Sequence, residues 1–153
     1  MENLIVEKAN IGDAIKIYDL INRYAKEGQM LPKTLAYIYE HLRQYTVARI
    51  DSETIGVGAL RIFWSDLAEV CSLAVDEKYL RKGIGRKIVE SLEQEAINLG
   101  LRQVFALTYQ AGFFVSLDYQ LIDRSQLPQK IWQDCLKCPK YENCDEQAVI
   151  KIL

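Results

Sequence analysis

No apolar run in this chain approaches the length of a membrane span, and Met1-Glu2-Asn3 does not open a signal peptide. The expected compartment is therefore the cytoplasm. Repeats, low-complexity stretches and linkers are also missing, so the 153 residues, 50% of them hydrophobic and 26% charged, read as a single domain over 1–153 with a full core. A net charge of −2 argues against a nucleic-acid surface or a polybasic membrane anchor. Four cysteines are too few for a disulfide scaffold, and without secretion they read as thiols or metal ligands. The only histidine is His41.

Against that near-neutral background, positive charge is concentrated in Tyr79-Leu80-Arg81-Lys82-Gly83-Ile84-Gly85-Arg86-Lys87. An amphipathic helix follows, with Ile84, Ile88, Leu92, Ala96 and Leu99 on one face, so its first turn opens near Gly83, where free amides and the positive dipole end point outward. Arg81, Lys82, Arg86 and Lys87 repel that end and one another unless an anion binds. A phosphate or diphosphate would satisfy amides and charges together. A solvated helix start with two turn glycines is the competing reading, because Gly-x-Gly alone is weak.

Leu4-Ile5-Val6 reads as a first strand. Asn10 or Asp13 then opens a helix with Ile11, Ile15, Tyr18, Ile21 and Ala25 on its apolar face, stopped at Gly28. After Leu31-Pro32, Thr34 caps a second helix with Leu35, Ile38 and Leu42 buried. Strands at 45–50 and 55–60 flank the turn-rich Asp51-Ser52-Glu53-Thr54. A third strand, Leu67–Val75, is apolar on both faces, as a central strand is. Beyond the basic loop and its helix come a strand at 104–108, a short helix around Phe113-Phe114 and a tail strand at 148–153, giving the order βααβββαβαβ. This predicts a mixed α/β sheet with helices on both faces.

Alternation in the third strand puts Leu67, Glu69, Cys71, Leu73 and Val75 on one face. Glu69 is an acid on an otherwise apolar surface, and a carboxylate desolvated in a cleft is a candidate general base. An ordinary salt bridge with Arg61 on the neighbouring strand is the alternative.

An apolar strand, a loop with Gly83 and Gly85, and then a helix resemble the GNAT superfamily of acetyl-CoA-dependent N-acetyltransferases. Leu80 stands where that loop commonly has Arg or Gln, with Arg81 one place along. A narrower resemblance, to the short-form bacterial N-acetylglutamate synthases, covers nearly the whole chain. It rests on Met30-Leu31-Pro32-Lys33-Thr34, Leu67–Val75, Phe105-Ala106-Leu107-Thr108-Tyr109-Gln110, Leu127-Pro128-Gln129-Lys130-Ile131-Trp132, Cys135-Leu136-Lys137-Cys138-Pro139 and Cys144-Asp145-Glu146. Longer members carry an amino-acid-kinase-like domain ahead of the acetyltransferase. Neither that domain nor arginine feedback seated in it is expected here.

The resemblance implies a mostly antiparallel sheet splayed between the strands at 67–75 and 103–108. It also implies acetyl transfer from acetyl-CoA, the co-substrate, to the α-amine of L-glutamate. Glu69 would be the base; Cys71, Ser72, Leu73, Ala74 and Val75 would bond the pantetheine arm; Arg81, Lys82, Gly83, Ile84, Gly85 and Arg86 would hold the diphosphate. Phe114 stands where many relatives have a proton-donating tyrosine, so it can contact the cofactor but not protonate the thiolate. Thr108 and Tyr109 are the hydroxyls left for that step.

Glutamate brings two carboxylates, which Lys33, Arg61 and Lys130 are expected to meet. Lys33 replaces a usual arginine and gives up its bidentate fork. Asp118-Tyr119 replaces a common Gly-Phe, which is expected to shift the backbone there. Cys135-x2-Cys138-x5-Cys144 supplies three ligands where zinc usually wants four, so reduced thiols are expected rather than a metal. Beyond the amine and acetyl-CoA, the one partner left open is a second copy in a homodimer. Another amine acceptor, or a non-enzymatic acyl-CoA- or metal-binding module, are the competing functions.

Overall fold

The computed structural model describes residues 3–127 and 146–153. Its strands are β1 (Leu4–Lys8), β2 (Tyr45–Ile50), β3 (Glu53–Trp64), β4 (Leu67–Val75), β5 (Gln103–Thr108), β6 (Gln120–Ile122) and β7 (Gln147–Ile152); its helices are α1 (Ala14–Lys26), α2 (Leu35–Glu40), α3 (Ile84–Asn98) and α4 (Ala111–Val115). They form one sheet in the order β1-β2-β3-β4-β5-β7-β6. Every neighbouring pair is antiparallel except β4 and β5, which the α3 crossover makes parallel.

Sequence chemistry accounts for most of these elements. The β2–β3 hairpin turns on Asp51 and Ser52, both at positive φ (50° and 70°), in a two-residue connection whose twist suits the flanking strands. Thr34 Oγ1 accepts the Tyr37 N–H at 3.0 Å and caps α2, as its residue type predicts. β6 escaped the sequence pattern because three residues are too few to show alternation; it exists by pairing with β7.

Two helices bury different residues from those expected. In α1 the core side is Ala14, Ile17, Leu20 and Ile21, while Ile11, Ile15 and Tyr18 are exposed. Both sets have helical spacing, so periodicity cannot choose between them. An ion pair chooses: the Asp13 carboxylate, at the entrance to α1, binds the Arg49 guanidinium of β2 through both oxygens, with Arg49 Nη2 2.7 Å from Asp13 Oδ2. Thr54 Oγ1 and the Asn10 N–H also donate to Asp13, at 3.0 and 2.8 Å. In α3, Leu99 lies just past the helix end and is exposed, and the buried face instead takes in Val89 and Glu93.

The core is split by the sheet. On one face Ile84, Ile88, Leu92 and Ala96 of α3 pack on Leu60, Ala68, Val70 and Val75; on the other, α1 and α2 cover Tyr45, Val47, Val57, Ala59 and Ala74. Each fully buried Ile or Leu contributes about 1.5–3 kcal/mol. Phe63, Leu67, Phe105, Leu127 and Ala148 form a third cluster. Glycine permits the approach of α3: a Cβ on Gly58 would lie 2.7 Å from Ile88 Cγ2 and 3.2 Å from Leu92 Cδ1.

The same strand β4 carries the break on which the site depends. Val57 pairs with Ala74 but Ala59 with Cys71, so β4 holds one extra residue, and Ser72 takes φ 53° there. This β-bulge reverses the alternation. Glu69 and Cys71 keep the face of Leu67, as expected, but Leu73 and Val75 cross to the α3 face with Ala68 and Val70. β4 pairs with β5 only through Leu67, Ala68 and Glu69, and beyond that point the two strands part.

Gly58→Ala is expected to lower stability by about 1–3 kcal/mol, by overpacking against Ile88, in urea unfolding. Asp13 is pushed up by burial, but hydrogen bonds from Arg49, the Asn10 amide and Thr54 outweigh burial and hold its carboxyl below the usual range. Its stabilisation is thus present above the ordinary carboxylate pKa of about 4 and lost as pH falls through the lower folded value. Asp13→Asn should cost about 3 kcal/mol at pH 7 and progressively less on acidification, read from urea midpoints across pH.

Candidate active site

A cleft of about 1070 Å³ opens where β4 and β5 separate. Its walls are the loop from Gly28 to Lys33, the second half of β4, the turn from Tyr79 to Arg86 and the β5–α4 junction. Four distant chain segments therefore converge on one space. Of the residues proposed from sequence, Lys33, Arg61, Glu69, Cys71–Val75, Arg81, Gly83–Arg86, Thr108, Tyr109 and Phe114 all line it. Lys82 does not; its ammonium sits 5.7 Å from the Tyr79 ring centre. Lys130, Cys135, Cys138 and Cys144 lie outside the described residues.

Charge gathers at the β4 floor. Glu69 is half-buried at the last paired position before the strands part, and the register sets Arg61 of β3 directly opposite it. Cys71, two residues along the same face, feels the whole group: burial pushes its thiol up, Glu69 adds to the shift, and Lys33 and Arg61 oppose it. A thiol raised in this way is a small apolar wall rather than a nucleophile. Tyr45 beside it is also pushed up, by burial first and then by Cys71 and Tyr37.

Lys33 arrives from the other wall. Its backbone is tied twice to the Asn22 side chain on α1: the Lys33 N–H donates to Oδ1 at 3.1 Å and its carbonyl accepts from Nδ2 at 2.9 Å. Its ammonium lies 4.7 Å from the ring centre of Tyr37, one turn into α2. On α1, Tyr24 donates its hydroxyl to the Val75 carbonyl and so ties that helix to the free end of β4.

At the basic turn, Arg81 and Gly83 both adopt positive φ (61° and 80°), and Gly83 is the N-cap of α3. The first intrahelical bond there is Lys87 N–H to the Gly83 carbonyl, leaving the Ile84, Gly85 and Arg86 amides as N-terminal donors. No acidic residue offsets them in the first turn. Mutual repulsion among the cations is partly relieved one turn on, where Arg86 Nε approaches Glu90 Oε2 at 3.7 Å on the exposed surface. A Cβ on Gly85 would lie 3.4 Å from Phe113 Cζ, so the helix start and α4 face each other closely across the cleft.

On the β5 side, Thr108 Oγ1 accepts the Gln110 N–H at 2.7 Å, a structural bond that does not use the hydroxyl proton. Phe114 is buried, edge-on to Phe113 and Tyr119 with ring centres 5.1 Å away in each case. At Asp118-Tyr119, where a backbone shift was expected, the chain turns back onto α4, with the Asp118 and Tyr119 N–H groups donating to the Val115 and Phe114 carbonyls. Asp118 takes the left-handed conformation itself (φ 73°), and the Tyr119 hydroxyl donates to the buried Glu93 at 2.7 Å, beside Lys151 Nζ at 3.1 Å.

Sequence reasoning missed Asn22, Tyr24, Tyr37 and Tyr45. Only Tyr37 carried a signal, lying four residues after Lys33 across a helix cap. Among the described residues no cluster of three or more His, Cys, Asp or Glu could hold a metal, and no helix is long and apolar enough to cross a membrane.

A parallel β4–α3–β5 unit, splayed at a bulge and carrying a basic N-terminus on its helix, defines the class, and residues 14–117 match the acetyltransferase (GNAT) family. The chain belongs to that family, and acetyl-CoA is its co-substrate. It is 42% identical over 97% of its length to an uncharacterized N-acetyltransferase of Chlorobaculum tepidum, covering 96% of that protein. It is 32% identical over 90% of its length to an amino-acid acetyltransferase of Mycobacterium tuberculosis, covering 79% of it. A Mycobacterium tuberculosis crystal structure in complex with CoA and NLQ superposes with a TM-score of 0.83 at 27% identity, over 97% of this chain and 99% of that one.

A Cβ on Gly83 would meet nothing within 4 Å, so this glycine serves conformation rather than space. Gly83→Ala is expected to cost about 1–2 kcal/mol through its left-handed φ alone, with the unfolding slope unchanged in urea.

Proposed function

We propose that this acetyltransferase moves the acetyl group of acetyl-CoA onto the α-amine of L-glutamate, the first step towards ornithine and arginine. The observation that carries the proposal is the convergence of one carboxylate, Glu69, and two cations, Lys33 and Arg61, at the point where β4 and β5 separate. An acceptor with two carboxylates and one ammonium complements that set. Lys130 is assigned to the acceptor as a third cation. The Mycobacterium tuberculosis relative named as an amino-acid acetyltransferase supports the acceptor class.

The amine must lose a proton before it is nucleophilic. Glu69 takes that proton, directly or through one water, and the amine attacks the thioester carbonyl carbon. Amides of Cys71–Val75, turned by the Ser72 bulge and released from β5, bond the pantetheine arm, and one of them stabilises the developing oxyanion. The C–S bond then breaks and the attacking nitrogen gives up its second proton, which replaces the one supplied to the thiolate. Thr108 or Tyr109 provides a proton or hydrogen bond to the departing thiolate, while Arg81, Arg86 and the amides of Gly83–Gly85 hold the diphosphate so that the thioester stays aimed at the amine. Phe114, edge-on in the α4 wall, shapes the channel without donating a proton.

Thiol release from acetyl-CoA, measured against a panel of amino acids, tests the assignment, and L-glutamate is expected to give the highest kcat/KM. Glu69→Gln should lower kcat by about 10²–10⁴-fold with the KM for acetyl-CoA kept within twofold. Full turnover in that variant would remove Glu69 from the role of base. A different preferred amine would keep the chemistry and replace the acceptor.

A further inference from the structure

We infer that Tyr37 is a positioning residue that sets selectivity for acidic acceptors by holding the Lys33 ammonium in place. The inference rests on the acceptor reading above. A lysine ammonium is a point charge on a flexible four-carbon stem, without the planar fork that lets a guanidinium orient itself on a carboxylate. Fixing it costs rotamer entropy each time an acceptor binds, unless the free protein has already restricted it.

Lys33 is restricted at both ends. Asn22 grips its backbone N–H and carbonyl, and the Tyr37 ring lies under its ammonium at 4.7 Å, within cation–π range. The ring is itself immobilised. It stacks on His41, with centroids 3.9 Å apart and planes 19° from parallel, and the Tyr37 N–H is bound by the Thr34 cap. The His41 ring is anchored in turn, because its Nδ1 lies 2.9 Å from the Tyr37 carbonyl and, facing an acceptor, carries the proton. Lys33, Tyr37 and His41 thus form a stack whose cationic end lines the cleft floor near Cys71, Glu69 and Arg61.

Both contacts are made by the aromatic ring. Phenylalanine should substitute for it, and an aliphatic residue should not.

The test is steady-state kinetics of the full chain with L-glutamate and L-glutamine, using Tyr37→Leu, Tyr37→Phe, Lys33→Ala and the Lys33→Ala/Tyr37→Leu pair. Tyr37→Leu is expected to raise the KM for L-glutamate about 10-fold, within the range of a partly desolvated cation–π contact, with kcat and the KM for acetyl-CoA within twofold of wild type. L-Glutamine, whose side chain carries no charge, should be affected less. Tyr37→Phe should restore the wild-type KM. In the Lys33→Ala background Tyr37→Leu should add little to the KM for L-glutamate, because the ammonium that the ring holds is gone.

A fall in kcat and in acetyl-CoA affinity together, or additive effects in the double variant, would show a merely structural tyrosine and overturn the inference. An unchanged KM in Tyr37→Leu does the same. If instead the wild-type enzyme turns over no L-glutamate, the acceptor assignment itself falls.

Discussion

The active cleft exists because β4 stops pairing with β5 after Glu69. A sheet that stayed closed would consume the β4 amides in its own ladder and leave no space for a substrate. The extra residue at Ser72, in a conformation that most side chains avoid, bends the strand, and burial of Leu73 and Val75 on the α3 face holds it bent. The carboxylate and the released backbone are thereby neighbours on one strand. Their separation is set by covalent geometry rather than by a flexible contact.

The walls around that gap are fixed by contacts from outside it. Asp13 and Arg49 set the rotation of α1, and α1 in turn presents Asn22 to the Lys33 backbone and Tyr24 to the Val75 carbonyl. Gly58 lets α3 sit against the opposite face, so the helix start carrying Gly83 and Gly85 reaches the mouth of the cleft. The Tyr119–Glu93–Lys151 cluster ties α3 to β7 and the end of α4. A rigid frame of this kind suits a bimolecular transfer, in which much of the barrier is the entropy of aligning two substrates.

Charge in the site is local and opposed to the chain as a whole. A protein of net charge −2 carries Arg81, Arg86 and unpaired helix amides at one end of the cleft and Lys33 with Arg61 at the other, with Glu69 between them. One end suits the diphosphate of acetyl-CoA, and the other suits the acidic acceptor of the proposed reaction. Glu69, opposite Arg61 and two residues from Cys71 on β4, faces the acceptor ammonium in the proposed reaction.

Amphipathic spacing after a glycine pair was enough to place α3 and its basic N-terminus, and Thr34 was enough to place α2, because caps and helix faces depend on residues within one turn. Glu69 was also legible, since an acid in an apolar strand is conspicuous without any partner in view. The rotation of α1, the crossing of Leu73 and Val75 to the other face, and the positions of Asn22 and Tyr37 were not. The first depends on Arg49, 36 positions from Asp13, the second on a one-residue slip in strand register, and the last two on how the chain between α1 and α2 folds back, and local periodicity is the same for either outcome. Local chemistry thus determined which groups this protein possesses, and tertiary packing decided which of them meet.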